Sequence, residues 1–138
     1  EKCEIIILLQ PTSPLIDEND IKKAIKLYFK TKAEIVISMC ETETPPQWIF
    51  KIDTNNKAVS LMRKTNYQFN TPKQNLKKYF KLNGAIYIFD KKWLFSRKNI
   101  GNSQTYAYIM PKERSVDIDT LQDWHIAKNL FKNINRNR

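Results

Sequence analysis

Glycine is nearly absent. Gly84 and Gly101 are the only two in 138 residues. That excludes a glycine-rich phosphate loop, which needs several glycines at fixed spacing so that backbone amides can reach phosphate oxygens. Cysteine is as scarce: Cys3 and Cys40 stand alone, without a CxxC pair. They encode neither a zinc site nor a disulfide framework. Each borders an apolar run and reads as a buried free thiol, which suits a reducing cytoplasm. With one histidine, His125, a Ser-His-Asp or Cys-His mechanism has no support, and His125 reads as a surface residue of the last helix. No apolar run approaches the roughly 18 residues that a membrane helix needs. No signal-peptide pattern opens the sequence. Residue 1 is Glu and the first apolar run follows almost at once, so the sequence reads as a cut through a larger protein.

What is present is a globular composition. Hydrophobic residues make up 41%, enough to build a core, and the length suits one domain spanning residues 1–138. The net charge is +10 and the pI about 9.6, which raises the question of a polyanionic partner. The lysines are scattered, however, at 22, 23, 26, 30 and 32, then 77, 78 and 81, then 91, 92 and 98. Most fall on helix faces or in loops, where solvation is the default. A basic module that binds nucleic acid therefore stands only as an alternative of another class, to be recognised by steeply salt-dependent binding.

The periodicity predicts an α/β chain. Residues 4–9 form a continuous β-branched run that reads as a strand covered on both faces. Gln10 to Pro14 break it with two prolines. Asp17 is positioned to cap a helix over 17–30, with Asp20 in the capping-box position, and residues 34–39 form the next strand. The chain thus opens strand–helix–strand, as in a parallel crossover unit. Two short runs, 48–52 and 58–61, flank a polar turn and read as a hairpin. Residues 63–82 are polar, with a short helical stretch near 75–80. Strands at 84–89 and 105–110 follow, with a helical turn over 91–97. Thr120 is positioned to cap a last helix over 121–132.

Three places carry candidate chemistry. Asp117 and Asp119 lie two apart, so on an extended segment both carboxylates point the same way. Like charges so placed invite a cation, and magnesium takes one or two carboxylates together with substrate phosphates. A solvated turn with Asp119 or Thr120 capping the helix is the open alternative. Gln10 follows the first strand, at the strand end where α/β sheets bind ligands. It offers a neutral donor and acceptor, and Thr12 and Ser13 add hydroxyls; a rigid polar loop is the other reading. Asn83 and Tyr87 flank Gly84, a position that marks a close backbone approach. Tyr87 serves equally as an ordinary strand aromatic.

The order of these blocks is more specific than any one of them. Leu8-Leu9-Gln10-Pro11-Thr12-Ser13-Pro14-Leu15, then Asn83-Gly84-Ala85-Ile86-Tyr87-Ile88, then Ser115-Val116-Asp117-Ile118-Asp119-Thr120 with Asp123 resemble the acylneuraminate cytidylyltransferase family, the CMP-sialic acid synthetases. The resemblance spans essentially the whole chain. It implies a nucleotide-diphospho-sugar transferase-like (Rossmann-like) fold, with a mostly parallel sheet, flanking helices and an inserted, dimer-forming hairpin around residues 46–82. It also implies joining of a nine-carbon 2-keto acid sugar to CTP, with magnesium on Asp117 and Asp119. Gln10, Thr12, Ser13, Asn83 and Tyr87 would face the sugar. Pseudaminic, legionaminic or eight-carbon keto-deoxy acids are alternative sugars. The family's Arg-Gln pair ahead of Asn-Gly-Ala is Lys73-Gln74 here, and lysine lacks the guanidinium fork that suits a carboxylate. The family's opening strand and basic nucleotide loop have no counterpart in these residues, so the expectation is that this polypeptide alone is inactive in cytidylyl transfer.

Overall fold

A computed structural model describes residues 4–62, 77–96, 99–101 and 104–136. Lys73 and Gln74 lie outside the described residues. The chain divides into two compact units, residues 1–40 with 82–138, and residues 41–81.

The larger unit is a four-stranded sheet with helices. Its strands are β1 (Ile5–Leu9), β2 (Ile35–Glu41), β5 (Phe80–Asp90) and β6 (Thr105–Ile109), in the order β1-β5-β2-β6. β2 and β6 run parallel, with Ile35 opposite Thr105. β1 and β5 run antiparallel, with Ile5 opposite Asp90 and Leu9 opposite Ile86. The expected mostly parallel sheet is therefore corrected to a mixed one. The strand–helix–strand opening is present, but β1 and β2 are not neighbours, because β5 lies between them. A second correction concerns β1: Ile7, Leu8 and Leu9 are exposed. The apolar run that reads as a doubly covered strand occupies one end of this sheet, where β5 is its one neighbour among the described residues.

Alternation along β2 builds the core on both faces of the sheet. Val36 faces one way, with Ile86 and Ile88 of β5, and α1 (Glu18–Thr31) covers them with Ala24 and Tyr28. Ile35 and Ile37 face the other way, against Phe89 and Trp93, and Trp93 sits on the short α2 (Lys91–Phe95). Helix α1 starts where its sequence says it should. The Asp17 carboxylate accepts from Asn19 N–H at 2.8 Å, and the Asp17 N–H donates to the Asp20 carboxylate at 3.0 Å, completing a capping box. Helix α3 (Leu121–Arg136) begins the same way. The Asp123 carboxylate accepts from the Thr120 hydroxyl at 2.6 Å and its N–H at 2.9 Å, and the Asp123 N–H donates back to Thr120 Oγ1 at 3.2 Å. Thr120 is thus the capping residue, and those bonds hold the Asp123 carboxyl below its ordinary value. No helix among the described residues is long and apolar enough to cross a membrane.

The smaller unit contains the expected hairpin, β3 (Phe50–Ile52) paired antiparallel with β4 (Ala58–Ser60). Asp53 makes its turn. One carboxylate oxygen accepts from both Asn55 N–H and Lys57 N–H, at 2.8 and 2.9 Å, and Asn56 takes the left-handed conformation (φ 61°) that asparagine tolerates. Residues 77–79 are not helical, contrary to the short helical stretch expected near 75–80; the rest of the 63–76 segment lies outside the described residues.

Candidate functional site

The two polar segments that flank the sequence meet in space. The Ile118 N–H donates to the Thr12 carbonyl at 2.8 Å, and the Gln10 N–H donates to Ala85 O at 3.3 Å. The loop after β1, the start of β5's buried half and the Asp117 segment are therefore stitched together by backbone bonds. Ile118 turns its N–H toward the loop, which leaves Asp117 and Asp119 on either side of that anchor.

Gly84 is where they converge. It has φ +75°, a conformation L side chains rarely adopt. A Cβ at this position would stand 2.7 Å from Gln10 Oε1 and 3.2 Å from Asp117 Oδ2. So Gln10, Gly84 and Asp117 form one tight cluster, and the absence of a side chain at 84 is what makes room for both polar groups. Gly84→Ala is expected to cost about 1–2 kcal/mol through the left-handed backbone alone, measured by urea unfolding. Because the close contact is the far end of a flexible glutamine, the larger effect should be displacement of the Gln10 amide, visible as a shifted side-chain amide signal by NMR. An unmoved Gln10 signal would contradict this geometry.

Among the described residues, Asp117 Oδ1 is buried with no hydrogen-bond partner, and so is Ser13 Oγ. Buried polar atoms are nearly always satisfied, so two orphans in adjoining segments mark a place built for something else. Tyr87 is half-buried nearby. Its hydroxyl is held above its ordinary value, first by burial and then by the Asp117 carboxylate. Asp119 is exposed.

Asn83 is placed differently from the sequence expectation of a ligand-facing residue. It is 3% exposed and its amide is fully engaged. Oδ1 accepts from Ser38 Oγ at 2.6 Å and from Ala85 N–H at 3.3 Å, while Nδ2 donates to Ser115 Oγ at 2.9 Å and approaches Met110 Sδ at 3.4 Å. Asn83 ties β5 to β2 and to the segment that carries Asp117. Thr12 contributes its carbonyl to Ile118, as described above. Ser38 itself went unnoticed in the sequence, although a serine inside the apolar run 35–40 is a signal that a buried polar partner exists. Its Oγ also accepts from Ile86 N–H at 2.7 Å.

The residues present fit a cation by their donor chemistry: a buried, unpartnered carboxylate oxygen, a second carboxylate two residues on, and an amide oxygen in the same cluster. They number only two carboxylates, and no group of three or more metal-ligating side chains occurs among the described residues.

No family model matches the sequence. Comparison with curated proteins finds relatives along nearly all of it. The chain is 34% identical over 133 residues to the N-acylneuraminate cytidylyltransferase of Streptococcus agalactiae serotype V, covering 95% of this chain and 31% of that protein. It is 32% identical to the N-acylneuraminate cytidylyltransferase of Escherichia coli O18:K1:H7, over 98% of this chain and 32% of that protein. It is 29% identical to the CMP-N,N'-diacetyllegionaminic acid synthase of Legionella pneumophila, over 92% of this chain and 53% of that protein. The chain is thus a homologue of the N-acylneuraminate cytidylyltransferases, which are nucleotidyltransferases, over a segment that makes up about a third of their length.

Proposed function

We propose that this chain carries the sugar-facing and metal-facing side of a cytidylyltransferase site that activates an acidic sugar with CTP to give a CMP-sugar and pyrophosphate. One observation carries the reading: Gln10 and Asp117, 107 positions apart in sequence, share the space above Gly84. We assign the nucleotide-diphospho-sugar transferase type of fold on the relatives' names and on the parallel β2–β6 pair. Relatives named for N-acylneuraminate support a nine-carbon acidic sugar of the sialic acid type, with pseudaminic, legionaminic and keto-deoxy acid sugars as alternatives.

In this reading each residue has a task set by its chemistry. The Gln10 amide, uncharged and able to donate and accept, recognises hydroxyl or acylamino groups of the sugar. The Tyr87 hydroxyl donates to an oxygen beside Asp117. Asp117 and Asp119 would hold magnesium, through the buried Asp117 Oδ1 and the exposed Asp119 carboxylate. When bound, magnesium supplies neutralisation of the triphosphate and of the departing pyrophosphate. One of the two carboxylates, acting through a water, takes the proton of the sugar's anomeric hydroxyl as that oxygen attacks the α-phosphorus and pyrophosphate departs. A homodimer is proposed through the smaller unit. Its two-stranded ribbon leaves Phe50, Ile52, Val59 and Leu61 exposed, and an isolated two-strand ribbon is marginal on its own.

Titration calorimetry of the chain with N-acetylneuraminate and its pseudaminic and legionaminic counterparts tests the assignment. At least one is expected to bind, and Gln10→Ala is expected to weaken it by about tenfold, the worth of one buried hydrogen bond. No binding by any acidic sugar, together with DNA binding that falls steeply with salt, would replace this function with a polyanion-binding one.

A further inference from the structure

We propose that Arg114 is a positioning residue for Asp117: its two-point grip on the buried Asp20 sets where the 115–119 segment lies at the end of the sheet. The inference rests on the reading of Asp117 as a cation ligand.

Asp20 does more than start a helix. A capping box asks one thing of its acid, acceptance of the capping residue's N–H, and Asp20 does this through Oδ2. Yet Asp20 is fully buried and takes three further bonds. Arg114 Nε donates to Oδ2 at 2.9 Å and Arg114 Nη2 to Oδ1 at 2.8 Å, and the Tyr108 hydroxyl donates to Oδ1 at 2.9 Å. These bonds draw β6, through Tyr108, and the turn Lys112–Arg114 onto the first turn of α1.

Arg114 is three residues before Asp117. The segment between and after them is pinned at two more points. Ser115 Oγ donates to Pro111 O at 2.7 Å and accepts from Asn83 at 2.9 Å, and Ile118 N–H reaches Thr12 O at 2.8 Å. Asp117 therefore hangs between anchors at 115 and 118, and Arg114 is the clamp that fixes the whole segment to a helix rather than to a loop. A guanidinium does this in a fixed plane with two parallel bonds; an ammonium makes a single movable contact. Slippage at 114 is transmitted over two residues to the carboxylate, where a cation demands ligand placement within a few tenths of an ångström.

The test is Mn2+ titration, followed by calorimetry at a temperature well below the melting point of every variant. Arg114→Lys retains the charge and loses the fork. It is expected to bind Mn2+ about 10–100-fold more weakly, the range seen when the partners of metal ligands are altered. Because that variant is also destabilised, Asp20→Asn combined with Arg114→Met removes both charges and avoids an unpaired buried ion; the same loss of affinity is expected there. Ile88→Val, a core change at a residue whose side chain makes none of these bonds, is expected to lower stability and leave Mn2+ affinity unchanged. Folded Arg114 variants that bind Mn2+ as the wild type does overturn the positioning role alone. A wild-type chain that binds no Mn2+ overturns the cation reading and this proposal with it, and that result needs no variant.

Discussion

Arg114→Ala is expected to cost about 3–5 kcal/mol of folding free energy, the range for removing one partner of a buried ion pair. The lower end is favoured because the Arg114 side chain is 26% exposed while that of Asp20 is 1% exposed. At roughly 3 °C per kcal/mol for a chain of this size, the melting temperature should fall by about 10 °C. The asymmetry in exposure predicts an order. Asp20→Asn leaves a guanidinium that can turn partly to water, and should cost about 1–3 kcal/mol, less than Arg114→Ala, which strands a carboxylate with no route to solvent. Acid should act on the two proteins with opposite sign. Burial alone would raise the Asp20 carboxyl, but the bonds from Arg114, Asp17 N–H and Tyr108 outweigh it and hold the group below its ordinary 3.8. A carboxyl depressed on folding contributes stability that is fully present above its unfolded value and is lost as pH falls through its folded value. The wild type should therefore lose this contribution as pH falls below about 3.8. In Arg114→Ala the dominant surviving effect on Asp20 is burial, so protonation relieves the penalty and the gap between the two proteins should narrow in acid. Urea unfolding at neutral pH and near pH 3 measures both. A gap that widens in acid would show that Asp20 is not the buried partner described here. The same network pushes the Tyr108 phenol from its ordinary 10 up to about 12, by burial first and then by Asp20, so the stability it contributes should be lost as pH rises from about 10 toward 12.

Local chemistry was legible in the sequence and long-range placement was not. Asp17 and Asp20 announce a capping box because both partners are three residues apart, and Thr120 announces the last helix for the same reason. The Asp53 turn is equally local. By contrast, the apolar run 5–9 reads alike whether it is central or terminal in a sheet, so the sequence did not show that β5 separates β1 from β2. Nor does periodicity reveal that one strand runs against its neighbour. The site divides along the same line. That Gln10 and Asp117 belong together followed only from the order of three blocks resembling a family; Gly84 marks a close approach in the sequence, but which residues approach it is a three-dimensional fact. Asn83 shows the limit of such transfer, since its amide is consumed by Ser38, Ala85 and Ser115. Asp20 shows the opposite limit. Its local role hid a second one, because Arg114 is 94 residues away and nothing in a single sequence pairs them.

Asp117→Asn is expected to separate two properties of the site. Without added metal the substitution should leave stability unchanged or raise it slightly. It preserves shape and removes charge from a carboxylate whose Oδ1 is buried and unpartnered, and a buried charge without compensation is a cost. With magnesium the order reverses. A ligand at 100 times its dissociation constant stabilises the folded state by about 2.7 kcal/mol, or roughly 8 °C at the scale used above. The wild type should show that rise and Asp117→Asn should not. Asp119→Asn, on an exposed side chain, should change metal-free stability by no more than about 0.5 kcal/mol and reduce the magnesium response only in part. Thermal melts with and without magnesium decide the matter. Equal magnesium stabilisation of wild type and Asp117→Asn would remove Asp117 from the metal site. A metal-free loss of several kcal/mol in Asp117→Asn would instead mean that its carboxylate is held by a partner the cluster around Gly84 does not show.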